Sequence, residues 1–208
     1  MIEDLPSKHP LSRFSGDGGT GSLIPQFSRV VRAPHEVIGY HGCHRETARR
    51  VLARNPFIPS SNPYDWLGEG IYFWEYGPYR AWEWADIRFG ENAAVLQARV
   101  TLGHCLNLLD TAYFQGVQMA YHTVEEHYRQ ENHLLPTNRS DKRHFLDRAI
   151  IEEYCQIWVE SGGTPYQTVR GGFPEGDPVY AGSKILRETH IQIAVRDLAC
   201  ISDVELVV

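Results

Sequence analysis

Long apolar runs are missing from this chain. None approaches the ~18 residues of a membrane span, and the first residues carry no basic-then-apolar leader, so neither a membrane segment nor export by that route is expected. Cysteine is scarce as well. Cys43, Cys105, Cys155 and Cys200 stand far apart with no C-x-x-C pair, which speaks against a zinc site or a dense disulfide framework and fits a reduced, cytoplasmic setting. The histidines, among them His44, His104 and those from His122 to His144, lack metal-ligand spacing, so no metal is expected. Positive charge is not in excess: the formal net charge is −6, which argues against a partner held by a general basic surface and leaves open only a local basic groove. The glycine-rich run from Ser15 to Ser22 is followed by no Gly-Lys-Ser/Thr and preceded by no apolar strand, so it is not a phosphate loop.

What is present is an ordinary globular composition. With 208 residues, 42% apolar and 22% charged, the chain is expected to build one domain with a substantial core. Residues 1–30, with Pro6, Pro10, Pro25 and the glycine run, form an irregular lead-in; residues 31–208 form the domain.

Two short stretches organise that domain. Val37-Ile38-Gly39-Tyr40 is an apolar strand ending in His41-Gly42-Cys43. In Leu67-Gly68-Glu69-Gly70-Ile71-Tyr72-Phe73 the glycines permit a turn, after which alternation sends Ile71 and Phe73 to one face and Tyr72 and Trp74 to the other. Between them, His44 to Arg54 has helical spacing stopped by Asn55-Pro56, and the loop from Pro56 to Asp65 is placed to lie over a ligand. A helix opens at Pro78 and runs through Ala81, Trp82, Ala85 and Phe89 to Gly90. A half-buried strand covers Ala94 to Val100, with Cys105 to Leu109 continuing the sheet. Two helices follow, over 112–131 and 141–159; the second carries the stripe Phe145, Leu146, Ala149, Ile150, Ile157 and Trp158, which packs on the sheet, and Lys142, Arg143 and Arg148 on its solvated face. Ser161 to Lys184, with six glycines and three prolines, reads as a long loop. The last strong strand places Ile191, Ile193 and Val195 on one side and Glu188, His190, Gln192 and Arg196 on the other.

Tyr40-His41-Gly42, then Gly68-Glu69-Gly70-Ile71-Tyr72-Phe73 before a helix containing Ala81, then a polar residue before Ile193-Ala194-Val195, together resemble the ADP-ribosyltransferases of the poly(ADP-ribose) polymerase type. The resemblance runs from about Val37 to the carboxyl end, and the Gly-Glu-Gly-Ile-Tyr-Phe segment is its most specific part. It implies an α+β fold with a split mixed or antiparallel sheet, NAD as co-substrate, no metal, and a His-Tyr-Glu/Asp/Gln triad matched here by His41, Tyr72 and Gln192. By that analogy His41 bonds an adenosine-side ribose hydroxyl, the Gly42 N–H and C=O pair with the nicotinamide carboxamide, and Tyr72 stacks on the nicotinamide. The second aromatic expected on the following helix falls on Glu83, so Trp84, ahead of Trp82, takes that part. The long loop, with Arg170, Phe173 and Glu175, lies near the acceptor site in that family.

Gln192 is the departure that decides the chemistry. An amide orients a sugar through hydrogen bonds but cannot act as a carboxylate base, so transfer of a single ADP-ribose is expected rather than chain extension. Glu188, about 13 Å away along an extended strand, reaches the same position only with a different register or a bulge. The acceptor is a macromolecule, protein or nucleic acid. Two rivals remain: a non-catalytic module binding NAD or ADP-ribose, motivated by the missing Glu, and an NAD-dependent RNA 2′-phosphotransferase, which calls for a basic cluster in the cleft.

Overall fold

Strand alternation and helical spacing resolve into an α+β fold in the computed structural model, which describes residues 35–139 and 143–208. The irregular lead-in and Lys142 therefore lie outside the described residues. In chain order the elements are β1 (Glu36–His44), α1 (Arg45–Leu52), β2 (Ile71–Glu75), α2 (Pro78–Phe89), β3 (Ala93–Thr101), β4 (Cys105–Asn107), α3 (Phe114–Gln130), α4 (Phe145–Glu160), β5 (Thr168–Phe173), β6 (His190–Val195) and β7 (Ile201–Leu206). The strands make one mixed seven-stranded sheet in the order β4-β5-β6-β2-β1-β3-β7. Among the described residues, only the β4–β5 pair is parallel. Among the described residues, no helix is long and apolar enough to cross a membrane.

The two faces of the sheet carry separate cores. Ile71, Phe73, Ile193, Val195, Leu96 and Ala98 pack on one side with Ala48 and Val51 of α1. On the other side, Val169, Ala194 and Leu106 pack under Ile150, Ile151, Tyr154 and Ile157 of α4 and Ala120 of α3, while Trp74 and Val95 pack with Ala81 of α2. Two groups of helices thus stand side by side on one face, α2 over the β1 side and α3–α4 over the β5 side.

Below the gap between them the sheet itself opens. β1 pairs with β3 along all nine residues from Glu36 to His44, yet it meets β2 only at Gly39↔Glu75 and Tyr40↔Trp74. Past Tyr40 the β1–β2 ladder stops.

Three expectations are corrected. The supposed loop from Ser161 to Lys184 contains β5, a strand between β4 and β6; its Gly171 and Gly172 suggested a loop, whereas Gly171 leaves room for Leu67, whose Cδ2 would lie 3.0 Å from an added Cβ. The last sequence-read strand begins at His190, so Glu188 sits in the preceding turn and not on the strand face with Gln192. The second central helix starts at Phe145, and its buried residues include Ile151, Tyr154 and Cys155, outside the expected stripe.

Candidate functional site

α2 forms one wall of the gap because its contact face is built from small residues. Pro78 occupies its first turn, and the buried Ala81 and Ala85 bring the helix backbone onto β1. At Gly42 an added Cβ would lie 2.3 Å from the Ala81 carbonyl oxygen, so this glycine is required by the packing of α2. Its backbone groups are another matter. Tyr76 N–H donates to Ile38 C=O at 3.0 Å, so along the regular β1 the peptide groups of Ile38, Tyr40 and Gly42 point toward β2. Gly42 comes after the last rung, and its N–H and C=O face the opening.

The opposite wall is the segment from Ile58 to Gly70. Ser60 and Gly70 exchange backbone hydrogen bonds at 2.9 and 3.1 Å. Asp65 gathers the turn by accepting from Ser60 Oγ at 2.6 Å and from Asn62 N–H at 2.9 Å. Gly68 sits at φ +83°, where a side chain would be strained. This wall is tied to α4: Arg148 donates to Asn62 C=O at 2.6 Å, and Glu152 accepts from Glu69 N–H at 2.5 Å while pairing with Arg196 at 2.8 Å.

Walls and opening enclose a cavity of about 350 Å³, within the usual range for small-molecule sites. Six of the sequence-predicted residues line it together: His41, Gly42, Tyr72, Trp84, Glu175 and Gln192. Three do not. Arg170 is buried on the other face and forms a bidentate pair with Glu75, both contacts 2.6 Å, plus a 3.3 Å bond to Asn107. Phe173 stacks behind Trp66, and Glu188 pairs with Arg80 at 3.3 Å. Trp82 packs with Trp74 and Val95 instead of lining the cavity.

His41 spans the split. Its Nδ1 lies 2.9 Å from the Tyr72 carbonyl oxygen; a carbonyl can only accept, so Nδ1 carries the proton and Nε2 is left as an acceptor on a neutral ring. Burial holds the imidazole below its ordinary pKa, outweighing the opposing pull of that carbonyl. Tyr72 is fixed from both sides, its hydroxyl donating to Gly68 C=O at 2.8 Å and accepting from Leu67 N–H at 3.0 Å. Burial, and after it the Asp65 carboxylate, raises its pKa, so the phenol stays protonated.

Gln192, 7% exposed, lies directly across from Trp74 in the β2–β6 register and accepts from Trp66 Nε1 at 2.7 Å. Around it the cavity is aromatic: Trp66 stacks on Phe173 with 3.2 Å between centroids and lies 4.4 Å from His144. Trp74 is 5.9 Å from Trp84, and Arg88 lies over the Trp84 ring at 5.3 Å. Arg80, Trp84 and Arg88 follow one another at four-residue spacing along the cavity side of α2. Arg80 is surrounded by carboxylates, bonded to Glu83 and 3.3 and 3.9 Å from Glu188 and Glu175. Two buried donors at the cavity, Trp74 Nε1 and Arg80 Nε, have no hydrogen-bond partner among the described residues.

Sequence reasoning missed Trp66, Trp74, Arg80, Arg88 and His144 as cavity residues. Trp74 and Arg80 were within reach: Trp74 shares its strand face with Tyr72, and Arg80 lies one helical turn before Trp84. Trp66 gives no such signal, because its partner is 126 residues away. Among the described residues, no group of three or more His, Cys, Asp and Glu is arranged to hold a metal ion.

No family model matches the chain. Over 67 residues it is 33% identical to an uncharacterized protein of Methanocaldococcus jannaschii, a match covering 29% of this chain and 31% of that protein. The chain thus spans about a third of the length of that relative.

Proposed function

We propose that this chain is a mono-ADP-ribosyltransferase resembling the poly(ADP-ribose) polymerase type: it cleaves the nicotinamide–ribose bond of NAD and transfers one ADP-ribose to a macromolecular acceptor, protein or nucleic acid, in the cytoplasm. The observation that carries the reading is the interrupted β1–β2 ladder, which gathers the His41 ring, the Gly42 peptide groups, the Tyr72 ring and the Gln192 amide around one cavity. A cavity of about 350 Å³ suits one ring and its ribose, with the rest of a dinucleotide running out over the rim.

The chemistry follows from these groups. The carbon–nitrogen bond breaks with its electron pair leaving on the nicotinamide nitrogen; the leaving ring is neutral and positive charge develops on the sugar. Fixed neutral groups hold the ring and sugar in line, and Tyr72 supplies the flat surface against which the ring stacks. The acceptor nucleophile closes on the sugar carbon and loses its proton to solvent, since Gln192 has no basic oxygen. That same amide supports a second reading, a module that binds NAD without turnover. The phosphotransferase alternative calls for a basic cluster and gains little, because of the two arginines that line the cavity Arg80 is paired with carboxylates and Arg88 lies over the Trp84 ring.

Nicotinamide release from NAD, measured with and without cell lysate, tests the proposal. Release that depends on lysate and falls about a hundredfold in Gln192→Ala is expected, the size seen when one oriented donor is removed from an active site. NAD binding without release in any lysate would transfer the assignment to the binding module.

A further inference from the structure

The third position of the triad is occupied by an amide whose orientation is fixed. An indole N–H can only donate, so the 2.7 Å contact from Trp66 Nε1 must be met by Gln192 Oε1, and the two amide N–H donors are turned the other way. Trp66 is itself immobilised, its ring stacked on Phe173 and in tilted contact with His144, and its chain part of the turn gathered by Asp65. A carboxylate at this position would offer a bound sugar only acceptors. The amide, held by its oxygen, adds two N–H donors that a carboxylate lacks.

We infer that Trp66 is a positioning and specificity residue for this cavity: by holding Gln192 Oε1 it fixes which way the amide faces, turning its N–H donors toward a ribosyl group whose hydroxyl oxygen accepts there. This rests on the NAD reading above. It adds a residue that touches no reacting atom and acts through Gln192.

Trp66→Phe keeps a ring beside Phe173 and His144 and removes the N–H together with part of the indole's packing surface. In an otherwise unchanged chain it is expected to lower kcat for nicotinamide release three- to tenfold, about what one hydrogen bond contributes, with KM for NAD changed much less. In the Gln192→Ala background the same substitution is expected to change nothing further. Equal losses in both backgrounds would show that Trp66 matters only for packing and would overturn the inference. A second measurement needs no turnover: the Trp66 indole N–H resonance in the 15N-labelled ligand-free protein should move upfield in Gln192→Ala, and an unmoved resonance would also overturn it. If the wild type neither binds NAD nor releases nicotinamide, the function proposed above fails and takes the ribosyl selectivity with it, whereas the indole shift still decides the Trp66–Gln192 pair.

Discussion

Two buried polar clusters lie back to back on β5, β6 and β2, and they differ in how completely their hydrogen bonds are met. On the face with Phe73 and Ile193, Arg170 reaches over β6 to grip Glu75 with two bonds, with Asn107 taking a further N–H. On the opposite face, one residue along the same strands, Gln192 accepts from Trp66, while Trp74 Nε1 and Arg80 Nε have no hydrogen-bond partner among the described residues. A closed cluster is structural: nothing is left for a ligand to bond. An open one, walled by aromatic rings and fixed glycine turns, retains hydrogen-bonding capacity that folding does not use, and such groups are costly to keep unless something binds them.

Breaking the closed cluster should have the largest effect. Glu75→Ala leaves the Arg170 cation buried without its partner and is expected to destabilise the fold by about 3–5 kcal/mol, read from urea denaturation. If the loss is under about 1 kcal/mol, water reaches Arg170 and the contrast between the faces collapses. On the open side, Tyr72→Phe should cost about 1–3 kcal/mol by stranding Leu67 N–H and Gly68 C=O. It should slow nicotinamide release as well, because the same hydroxyl holds the glycine turn at the cavity; stability and release are to be measured on one preparation. Gly68→Ala should cost about 1 kcal/mol or more through its positive φ, and an added Cβ would also sit 2.5 Å from Glu152 Oε1. Thermal denaturation checks this, and an unchanged midpoint would mean that the turn relaxes.

The smallest effect expected is a pH dependence centred on His41. Its folded pKa lies below the unfolded value of about 6.5 because burial disfavours the charged ring. As pH falls below about 6.5 the unfolded chain takes up a proton that the folded ring refuses. Stability is therefore full above that value and declines down to the folded pKa. His41→Asn, which cannot titrate, should flatten that part of a urea-midpoint profile, while NAD binding to the wild type should persist below pH 6.5 with the neutral ring.

Where the sequence was legible, local chemistry and tertiary structure agreed. Ile71 and Phe73 alternate against Tyr72 and Trp74 as the sheet requires, and Pro78 and Gly90 bracket α2. β5 was hidden because Arg170, Gly171 and Gly172 have loop composition; their reasons, an ion pair with Glu75 and room for Leu67, come from distant parts of the chain. Gly42 entered through the motif it shares with His41, and the structure shows a packing reason for it that the motif did not reveal: its small size seats α2. Of the cavity, residues on the two motif strands were visible from alternation, whereas the segment opposite contributes Trp66 through a contact that no local pattern encodes.

The ties from Arg148 and Glu152 to Asn62 and Glu69 make the outer wall of the cavity an extension of α4. That wall is therefore not a lid free to swing on its own; opening it fully means releasing a helix whose buried residues share one core with α3 and the sheet. Closing the cavity on a ligand should thus slow amide hydrogen exchange in the turns of α4 around Arg148 and Glu152, residues outside the cavity lining, because wall and helix belong to one cooperative unit.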